Sequence, residues 1–446
     1  MKIILGAGLA GLSVAYHLKS NDYTIIEKES EAGGLCRSWE EKGYVFDYGP
    51  HILYTSSDLV KSLLKVLLKK NIIEKNRKNY IYLRNTLVKY PFETFLAGLP
   101  KKVIEECIIG ALDRDTGVKS KNFKEWIYKN FGSGIAKHYM IPYNEKIWKY
   151  PLDKMNVAWV EGRVPTPDVR DMIRGALATQ DRDFGPNAMF SYPKKGGIGA
   201  LPNAFQQNVK NIRLNSEIVS IVPKKNSVEI KYRKNKDKEV KTIAGDVVVS
   251  TLPLPDMIDI MPDIPAEVEK ACKKLVYNSL VFMGVGIKRD GITDKHAIYY
   301  PEKKYLFHRL SFPMNLSKET VPKNRSSIIV EVTYRKNKDV GLNKNIQLNE
   351  NIDLADARKR ILNDLRDADL IKKNDIIEVS RILTSKYAYI IYDLEHRKNV
   401  DIIHRYLKEN RIIPAGRFAE WEYFNMDKVI LSGARVAKEI NGIKSG

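Results

Sequence analysis

The chain begins with three glycines whose spacing could shape a phosphate-binding turn. Gly6, Gly8 and Gly11 lie between a short apolar segment and a helical pattern, and Glu27 ends the next apolar segment. The glycines permit a tight turn and close approach of a pyrophosphate, while the helix start offers N–H groups. Glu27 could then accept from ribose hydroxyls. A structural turn beside an exposed glutamate is the alternative for either half, and the two halves together favour a dinucleotide.

A second glycine motif indicates which dinucleotide. Gly33, Gly34 and Arg37 resemble the second phosphate-contacting loop of the flavin amine oxidase superfamily, and residues 46–51 resemble its segment beside the isoalloxazine ring. NAD dehydrogenases lack this loop, so FAD is favoured over NAD. His51 could pack in a loop or hydrogen-bond to the reduced flavin, and its place after Asp47-Tyr48-Gly49 favours the second role.

Two later segments resemble the remaining parts of the same FAD-binding unit. Residues 214–219, followed by 246–251, resemble its returning half, and residues 416–427 resemble its final flavin-contacting element. The resemblance implies cofactor contacts from Val219, Gly416, Arg417, Asn425 and Met426.

Motifs outside the nucleotide segments resemble the UDP-galactopyranose mutase family in its eukaryotic form. These motifs are Pro142–Trp148, Glu161–Val164, Phe184–Phe190, Leu306–Arg309, Tyr389 and Tyr423. The resemblance implies that Arg163 and Arg309 clamp a diphosphate, because arginine binds phosphate through two parallel N–H groups. It implies that Tyr389 and Tyr423 donate to the same phosphates. Catalytic roles are predicted for these four residues and for His51, and substrate contacts for Trp148 and Asn187, with a core aromatic as the equal alternative for Trp148.

One segment departs from the mutase pattern. Residues 89–93 resemble the uridine-side segment, which predicts substrate contacts from Tyr90 and Phe92, but Glu93 stands where a glutamine is expected. An amide donates and accepts against a base edge, whereas a carboxylate only accepts. The identity of the base therefore stays open.

The mutase resemblance implies interconversion of UDP-galactopyranose and UDP-galactofuranose. Reduced FAD would be required as the nucleophile at the anomeric carbon, with UDP-galactose as substrate and an external reductant such as NAD(P)H. The main alternative is an FAD-dependent oxidase or desaturase of the amine oxidase or protoporphyrinogen oxidase type. A third is a binding protein that retains a flavin, although motifs at both chain ends argue against it.

Composition limits the other classes of protein. The net charge is +21, but lysines are spread over all 446 residues and mixed with glutamates. A solvated surface is favoured, a small anionic substrate comes second, and no nucleic-acid partner is predicted. The three cysteines, Cys36, Cys107 and Cys272, have no metal-ligand spacing, so no metal is predicted and a cytoplasmic location is expected. No apolar run is long enough to predict a membrane span.

The periodicity of the chain predicts how these motifs are positioned. Residues 1–58, 194–262 and 411–446 are predicted to form a discontinuous Rossmann-like FAD-binding domain. Residues 59–193 are predicted as an inserted, mainly helical domain, and residues 263–410 as an antiparallel-sheet substrate domain. The predicted fold class is α/β.

Overall fold

The computed structural model describes residues 1–160, 164, 166, 168–178, 189–234, 237, 239–335 and 353–442. Its strands are β1 (Lys2–Leu5), β2 (Tyr23–Ile26), β3 (Ser38–Glu41), β4 (Tyr44–Asp47), β5 (Ile72–Asn76), β6 (Asn79–Leu83), β7 (Thr86–Lys89), β8 (Met189–Pro193), β9 (Ile212–Arg213), β10 (Ser216–Pro223), β11 (Val228–Lys234), β12 (Val240–Gly245), β13 (Val247–Ser250), β14 (Tyr277–Ile287), β15 (Ala297–Tyr299), β16 (Arg309–Ser311), β17 (Ser326–Tyr334), β18 (Ile377–Ile390) and β19 (Ile412–Pro414). Its helices are α1 (Leu9–His17), α2 (Asp58–Leu68), α3 (Lys101–Leu112), α4 (Phe123–Ile135), α5 (Ile141–Trp148), α6 (Val169–Ala176), α7 (Ala200–Gln206), α8 (Leu254–Asp259), α9 (Ala266–Lys273), α10 (Pro313–Leu316), α11 (Leu354–Asp367), α12 (His396–Glu409) and α13 (Met426–Gly442).

A five-stranded parallel sheet, in the order β19–β13–β1–β2–β9, takes strands from distant parts of the chain. Ile4 and Ile25 are fully buried on the face that packs against α1 and α13. Ile3 and Ile26 belong to another cluster, which includes residues of α12 and of the three-stranded sheet β10–β11–β12. Burial on both faces explains why these strands are continuous apolar runs.

The second large sheet has seven strands in the order β18–β14–β17–β16–β15–β6–β7. Its neighbours are antiparallel except β15 and β6, which run parallel. Every residue of β17 is buried, including Glu331 in the middle of an otherwise apolar and hydroxyl-bearing strand. Together the two sheets and their helices confirm the predicted α/β class.

The predicted mainly helical segment, residues 59–193, contains helices α2–α6 and also the short strands β5–β8. β6 and β7 form a hairpin that extends the seven-stranded sheet. Its turn residues Arg84 and Asn85 both have positive φ, 50° and 60°, as a tight hairpin requires. Because glycine is absent from that turn, the usual sequence signal for a hairpin was missing.

Residues 263–410 contribute β14–β18 to this sheet, which is mixed because β6 joins β15 in parallel. Residues 263–410 also form helices that were not predicted from the sequence, of which α12 is the clearest. Its buried residues Val400, Ile403 and Leu407 recur at helical spacing and lie in the cluster that lines the parallel sheet.

From the sequence, neither a membrane span nor a metal site is expected. No helix in the described part of the chain is both long and apolar enough to cross a bilayer. No group of three or more histidine, cysteine, aspartate or glutamate side chains in the same residues could hold a metal ion.

Candidate active site

The first glycine turn has the geometry of a phosphate-binding loop. Gly6 has φ of 97°, and a Cβ on Gly11 would lie 2.1 Å from the Gly6 carbonyl oxygen. At Gly8 a Cβ would meet only the Gly34 Cα, at 3.9 Å, so space remains beside the backbone. α1 starts next to Gly8, with no side-chain cap and no acidic residue in its first turn. That helix start can therefore receive an anion.

Glu27 is buried at the end of β2 and is held by the backbone. Its carboxylate accepts from the Ala7 N–H at 2.7 Å and the Glu29 N–H at 2.9 Å. A cavity of about 340 Å³ lies beside it, lined in part by Lys28, Glu29 and Asn215. The carboxylate and the cavity fit a ribose and its base.

The second glycine loop packs directly on the first. Gly33 has φ of 121° and donates to the Ala7 carbonyl at 2.8 Å, and a Cβ on Gly34 would lie 3.2 Å from the Gly8 Cα. Arg37 donates from Nε to the Gly34 carbonyl at 2.9 Å and is half-buried. Its guanidinium therefore braces the loop that the sequence predicts to contact phosphate.

The other predicted cofactor residues also lie near the parallel sheet. Val219 occupies a bulge in β10, where the register with β11 shifts. Gly416 has φ of 86° and packs on α1, because its Cβ would lie 2.5 Å from the Ala10 Cβ. Asn425 and Met426 stand at the start of α13. These placements fit a dinucleotide such as FAD, and the individual contacts remain predictions.

The segment from Asp47 to His51 combines two buried titratable groups. Asp47 accepts from Ser38 Oγ at 2.6 Å, Tyr192 Oη at 2.7 Å and the Ile198 N–H at 2.9 Å. Burial raises the pKa of Asp47 to about 6 against these hydrogen bonds. Burial, with the charges of nearby arginines, lowers the pKa of His51 to about 4. Because neutral His51 Nδ1 lies 2.9 Å from the Gly49 carbonyl, Nδ1 donates and Nε2 is an acceptor.

Arg309 is held from the opposite strand by Glu331. Its Nε and Nη2 donate to the two carboxylate oxygens, the second at 2.8 Å, and Nη2 also lies 3.4 Å from the Tyr389 hydroxyl. Burial acts to lower the pKa of Arg309, but the Glu331 carboxylate raises it well above its usual range. The Arg309 side chain is 24% exposed, whereas Glu331 is 1% exposed. No hydrogen bond in the described part of the chain involves Nη1.

Aromatic rings surround the two predicted phosphate-binding tyrosines. Trp148 lies 5.9 Å from Tyr389 and 5.8 Å from Tyr423 between ring centroids, and the two tyrosines are 6.1 Å apart. The guanidinium of Arg417 is 4.6 Å from the Tyr423 ring. Burial and the Glu331 carboxylate raise the pKa of Tyr389, so its hydroxyl stays protonated. Trp148 is itself buried, which makes it a support for both tyrosines.

Two amides fix this aromatic group to the fold. The Trp148 indole N–H donates to Asn144 Oδ1 at 2.9 Å. Asn278 donates to the Ile147 carbonyl at 2.7 Å and accepts from the Tyr389 N–H at 3.1 Å. Asn278 thereby joins α5 to β18, and it was missed because its partners are distant in sequence.

Arg77 forms a second cationic centre that the sequence did not predict. Its Nη2 donates to the Tyr299 hydroxyl at 3.0 Å, and its guanidinium is 4.9 Å from the Tyr90 ring. With the Asn79 amide oxygen turned toward it, Arg77 also donates to that oxygen at 2.7 and 2.9 Å. Burial acts to raise the pKa of Tyr299, but Arg77 and Arg309 lower it overall. The positive charges of Arg77 and Arg309 therefore both favour the ionised form of Tyr299.

The residues after Tyr90 are completely enclosed. Phe92 is fully buried and stacks on Tyr139 with centroids 4.8 Å apart, so in this conformation it is a core residue. Glu93 is buried, and burial raises the pKa of its carboxyl to about 7. No ion pair joins Glu93 to a cation among the described residues.

The structure brings most of the predicted residues together, but two cannot be assessed. Arg309, Tyr389, Tyr423 and Trp148 form one cluster, and the charge of Arg309 also acts on His51. Arg163 and Asn187 lie outside the described residues. Glu331 could have been suspected from sequence, because it is the one carboxylate in its strand Ser326–Tyr334. Arg77 and Tyr299 carry no comparable signal.

Comparison with known proteins places the fold among flavoenzymes. An L-amino-acid oxidase of Bothrops moojeni is 22% identical over 494 residues, covering 98% of this chain and 89% of that protein. A crystal structure of reduced UDP-galactopyranose mutase superposes with a TM-score of 0.88 at 23% identity, over 99% of this chain and 93% of that one. Putrescine oxidase bound to putrescine superposes with a TM-score of 0.64 at 14% identity, over 98% of both chains.

These superpositions at low identity establish a shared fold. A family model for flavin containing amine oxidoreductases matches residues 9–441. The glycine turns, Glu27 and the start of α1 agree with that match, because they fit FAD. The chain therefore belongs to the flavin containing amine oxidoreductase family, and a flavin is its cofactor.

Proposed function

We propose that the protein is a flavin-dependent mutase that interconverts the pyranose and furanose forms of UDP-galactose. The observation that carries this proposal is the cluster of Arg309, Tyr389 and Tyr423. It combines a partly exposed guanidinium with two tyrosines next to a predicted flavin-contacting residue, Arg417. A cation flanked by hydroxyl donors suits the diphosphate of a nucleotide sugar.

The charge of the cluster also favours an anionic substrate. Two guanidiniums, Arg77 and Arg309, act on Tyr299, and only Glu331 forms an ion pair with either of them among the described residues. Since Glu331 uses Nε and Nη2 of Arg309, Nη1 remains for a phosphate oxygen. A diphosphate would offset the remaining positive charge in a partly desolvated site.

In the proposed mutase each side chain of the site has a role in holding the substrate or the flavin. Tyr389 and Tyr423 would donate to the diphosphate, with Trp148 limiting their movement. Neutral His51 would offer Nε2 as an acceptor on the flavin side. Arg163 and Asn187 are proposed to complete the substrate contacts. When bound and reduced, the flavin supplies a nucleophilic nitrogen for the anomeric carbon. Residues 1–58, 194–262 and 411–446 are proposed as the domain that holds it, with an external reductant such as NAD(P)H.

An oxidase is the second candidate, and a specific observation favours it. The L-amino-acid oxidase that matches 98% of the chain acts, by its name, on amino acids. Arg309 could bind the carboxylate of such a substrate as it could bind phosphate. The partly buried tyrosines Tyr389 and Tyr423 and the second guanidinium suit a larger, more charged ligand better.

The oxidation state of the flavin separates the two candidates. We expect dithionite-reduced protein to convert UDP-galactofuranose to UDP-galactopyranose without net electron flow, measured by chromatography. Oxidised protein should bind UDP-galactose without turnover. Gly8→Val is the matched control, because its side chain would enter the space beside the first turn and prevent flavin binding while the chain still folds. Peroxide formation from L-amino acids by oxidised protein, without isomerisation by reduced protein, would establish the oxidase instead.

A further inference from the structure

A second basic region lies outside the Arg309 cluster. A cleft of about 400 Å³ is lined by Lys75, Lys78, His296, Met314 and Lys318. We call it the lysine cleft. Its volume is in the range of small-molecule binding sites.

The walls of the lysine cleft are fixed by hydrogen bonds. Lys78 and His296 bond twice, from the Lys78 N–H to Nδ1 at 3.0 Å and from the His296 N–H to the Lys78 carbonyl at 2.8 Å. Lys75 Nζ donates to the Asn315 carbonyl at 2.7 Å. Asn315 is anchored in turn, because its amide donates to the Thr293 and Lys295 carbonyls at 2.9 and 2.6 Å. The cleft is therefore formed before any ligand binds.

The positive charge of the lysine cleft is only partly neutralised. Asp294, the one carboxylate that lines it, pairs with Lys78 at 3.5 Å and also with Lys295. No ion pair to Lys75 or Lys318 occurs among the described residues. Burial and the charge of Lys318 lower the pKa of Lys75, because the two ammonium groups repel each other. Burial and the neighbouring lysines also lower the pKa of His296 to about 4, which keeps the imidazole neutral.

This cleft is adjacent to the Arg309 cluster but separate from it. Between Lys75 and Lys78 in the chain, Arg77 bonds to Tyr299 and lies over Tyr90. His296 precedes β15, whose last residue is Tyr299. Two short segments therefore contribute one set of side chains to the substrate site and another to the cleft.

We propose that the lysine cleft binds a phosphorylated small molecule as a second anionic ligand, distinct from the substrate at Arg309. A phosphate dianion matches two ammonium groups that form no ion pair among the described residues, whereas a single carboxylate would neutralise only one. Lysine is a common phosphate-binding residue and acts as a point charge. Met314 provides an apolar wall, so a phosphate monoester with a small organic group fits better than bare phosphate.

The test is calorimetric titration of the flavin-loaded protein with inorganic phosphate and, separately, with glycerol 3-phosphate. We expect both to bind, with glycerol 3-phosphate the tighter. Lys75→Gln combined with Lys318→Gln should weaken binding by about tenfold or more. Lys225→Gln, a change of an exposed lysine in the β10–β11 turn, should leave binding unchanged. Tighter binding of inorganic phosphate would assign the cleft to the free ion within the same chemistry.

The Arg309→Ala variant distinguishes ligand binding in the lysine cleft from binding at the Arg309 cluster. Binding of glycerol 3-phosphate should survive this change if the ligand occupies the lysine cleft. If the double variant loses its flavin absorption or its folded state, Lys318→Gln alone is used, because Lys318 is exposed and its loss should not disturb the fold. The proposal is overturned if wild-type protein binds neither phosphate, if the lysine variants bind both normally, or if Arg309→Ala abolishes binding.

Discussion

Two arginine–glutamate pairs stand across neighbouring antiparallel strands in different sheets. Arg233 stands opposite Glu217 between β11 and β10, and Arg309 stands opposite Glu331 between β16 and β17. In both pairs the arginine Nε and Nη2 donate to the carboxylate, to one oxygen of Glu217 but to both oxygens of Glu331. The side chains are 49% and 47% exposed in the first pair but 24% and 1% exposed in the second. Strand register therefore creates each pair, and burial decides what it can do.

The exposed pair is surrounded by water, which screens its attraction and solvates either partner alone. At Arg309 the carboxylate is desolvated and needs its cation, while the cation keeps one nitrogen for a further partner. A buried carboxylate beneath an accessible guanidinium is thus a means of holding a cation at a ligand site. The same two residue types give a surface contact in one sheet and a candidate receptor for phosphate in the other.

The largest expected effect on stability is that of Glu331→Gln. The amide cannot neutralise Arg309, so a mostly buried cation loses its counter-charge. We expect the free energy of unfolding to fall by about 3 kcal/mol, the scale for breaking a buried ion pair. Urea denaturation measures it, with Glu217→Gln as the matched control at less than about 1 kcal/mol. Equal losses in the two variants would refute the distinction drawn from burial.

Arg309→Ala should act mainly on ligand binding. We expect flavin to be retained and UDP affinity to fall by about 2–5 kcal/mol, because the proposed phosphate contact is removed. Calorimetric titration with UDP measures this change. Arg233→Ala is the control and should bind UDP as the wild type does. UDP binding at wild-type affinity by Arg309→Ala would exclude Arg309 from the proposed clamp.

Glu93 is a buried carboxyl that, among the described residues, forms no ion pair with an arginine, in contrast to Glu331. Burial raises the pKa of Glu93 to about 7 from an ordinary value near 4.5. Between these two pH values the folded state keeps the Glu93 proton, whereas the unfolded state releases it. The contribution of Glu93 to the free energy of unfolding is therefore greatest below about pH 4.5 and falls as the pH rises to 7. The loss is about 3 kcal/mol. We expect Glu93→Gln to remove this component from the pH dependence of urea denaturation, whereas an unchanged profile would show that Glu93 does not titrate in this way.

The geometry of the glycine turns beside the parallel sheet was largely predictable, because its determinants are local. Gly6, Gly8 and Gly11 specify a turn through backbone conformation and close packing, and Glu27 ends the adjacent strand. The Arg309 cluster was predictable only through family resemblance. Its supporting residues Glu331, Asn278 and Arg77 come from separate strands and loops, and sheet register brings them together. A single sequence does not reveal that register, nor the glycine-free turn at Arg84 that adds β6 and β7 to the sheet.

The smallest expected effect is the coupling between Arg233 and Glu217. A double-mutant cycle with Arg233→Ala and Glu217→Ala should give about 0.2–1 kcal/mol, because both side chains are about half exposed and either is hydrated when its partner is removed. Salt at about 1 M shortens the screening length to about 3 Å and should reduce this coupling toward zero. The corresponding cycle at Arg309 and Glu331 should give a larger coupling that salt changes less, since water and ions are mostly excluded there. A coupling at Arg233 as large and as salt-resistant as at Arg309 would mean that cross-strand geometry, and not burial, sets the strength of both pairs.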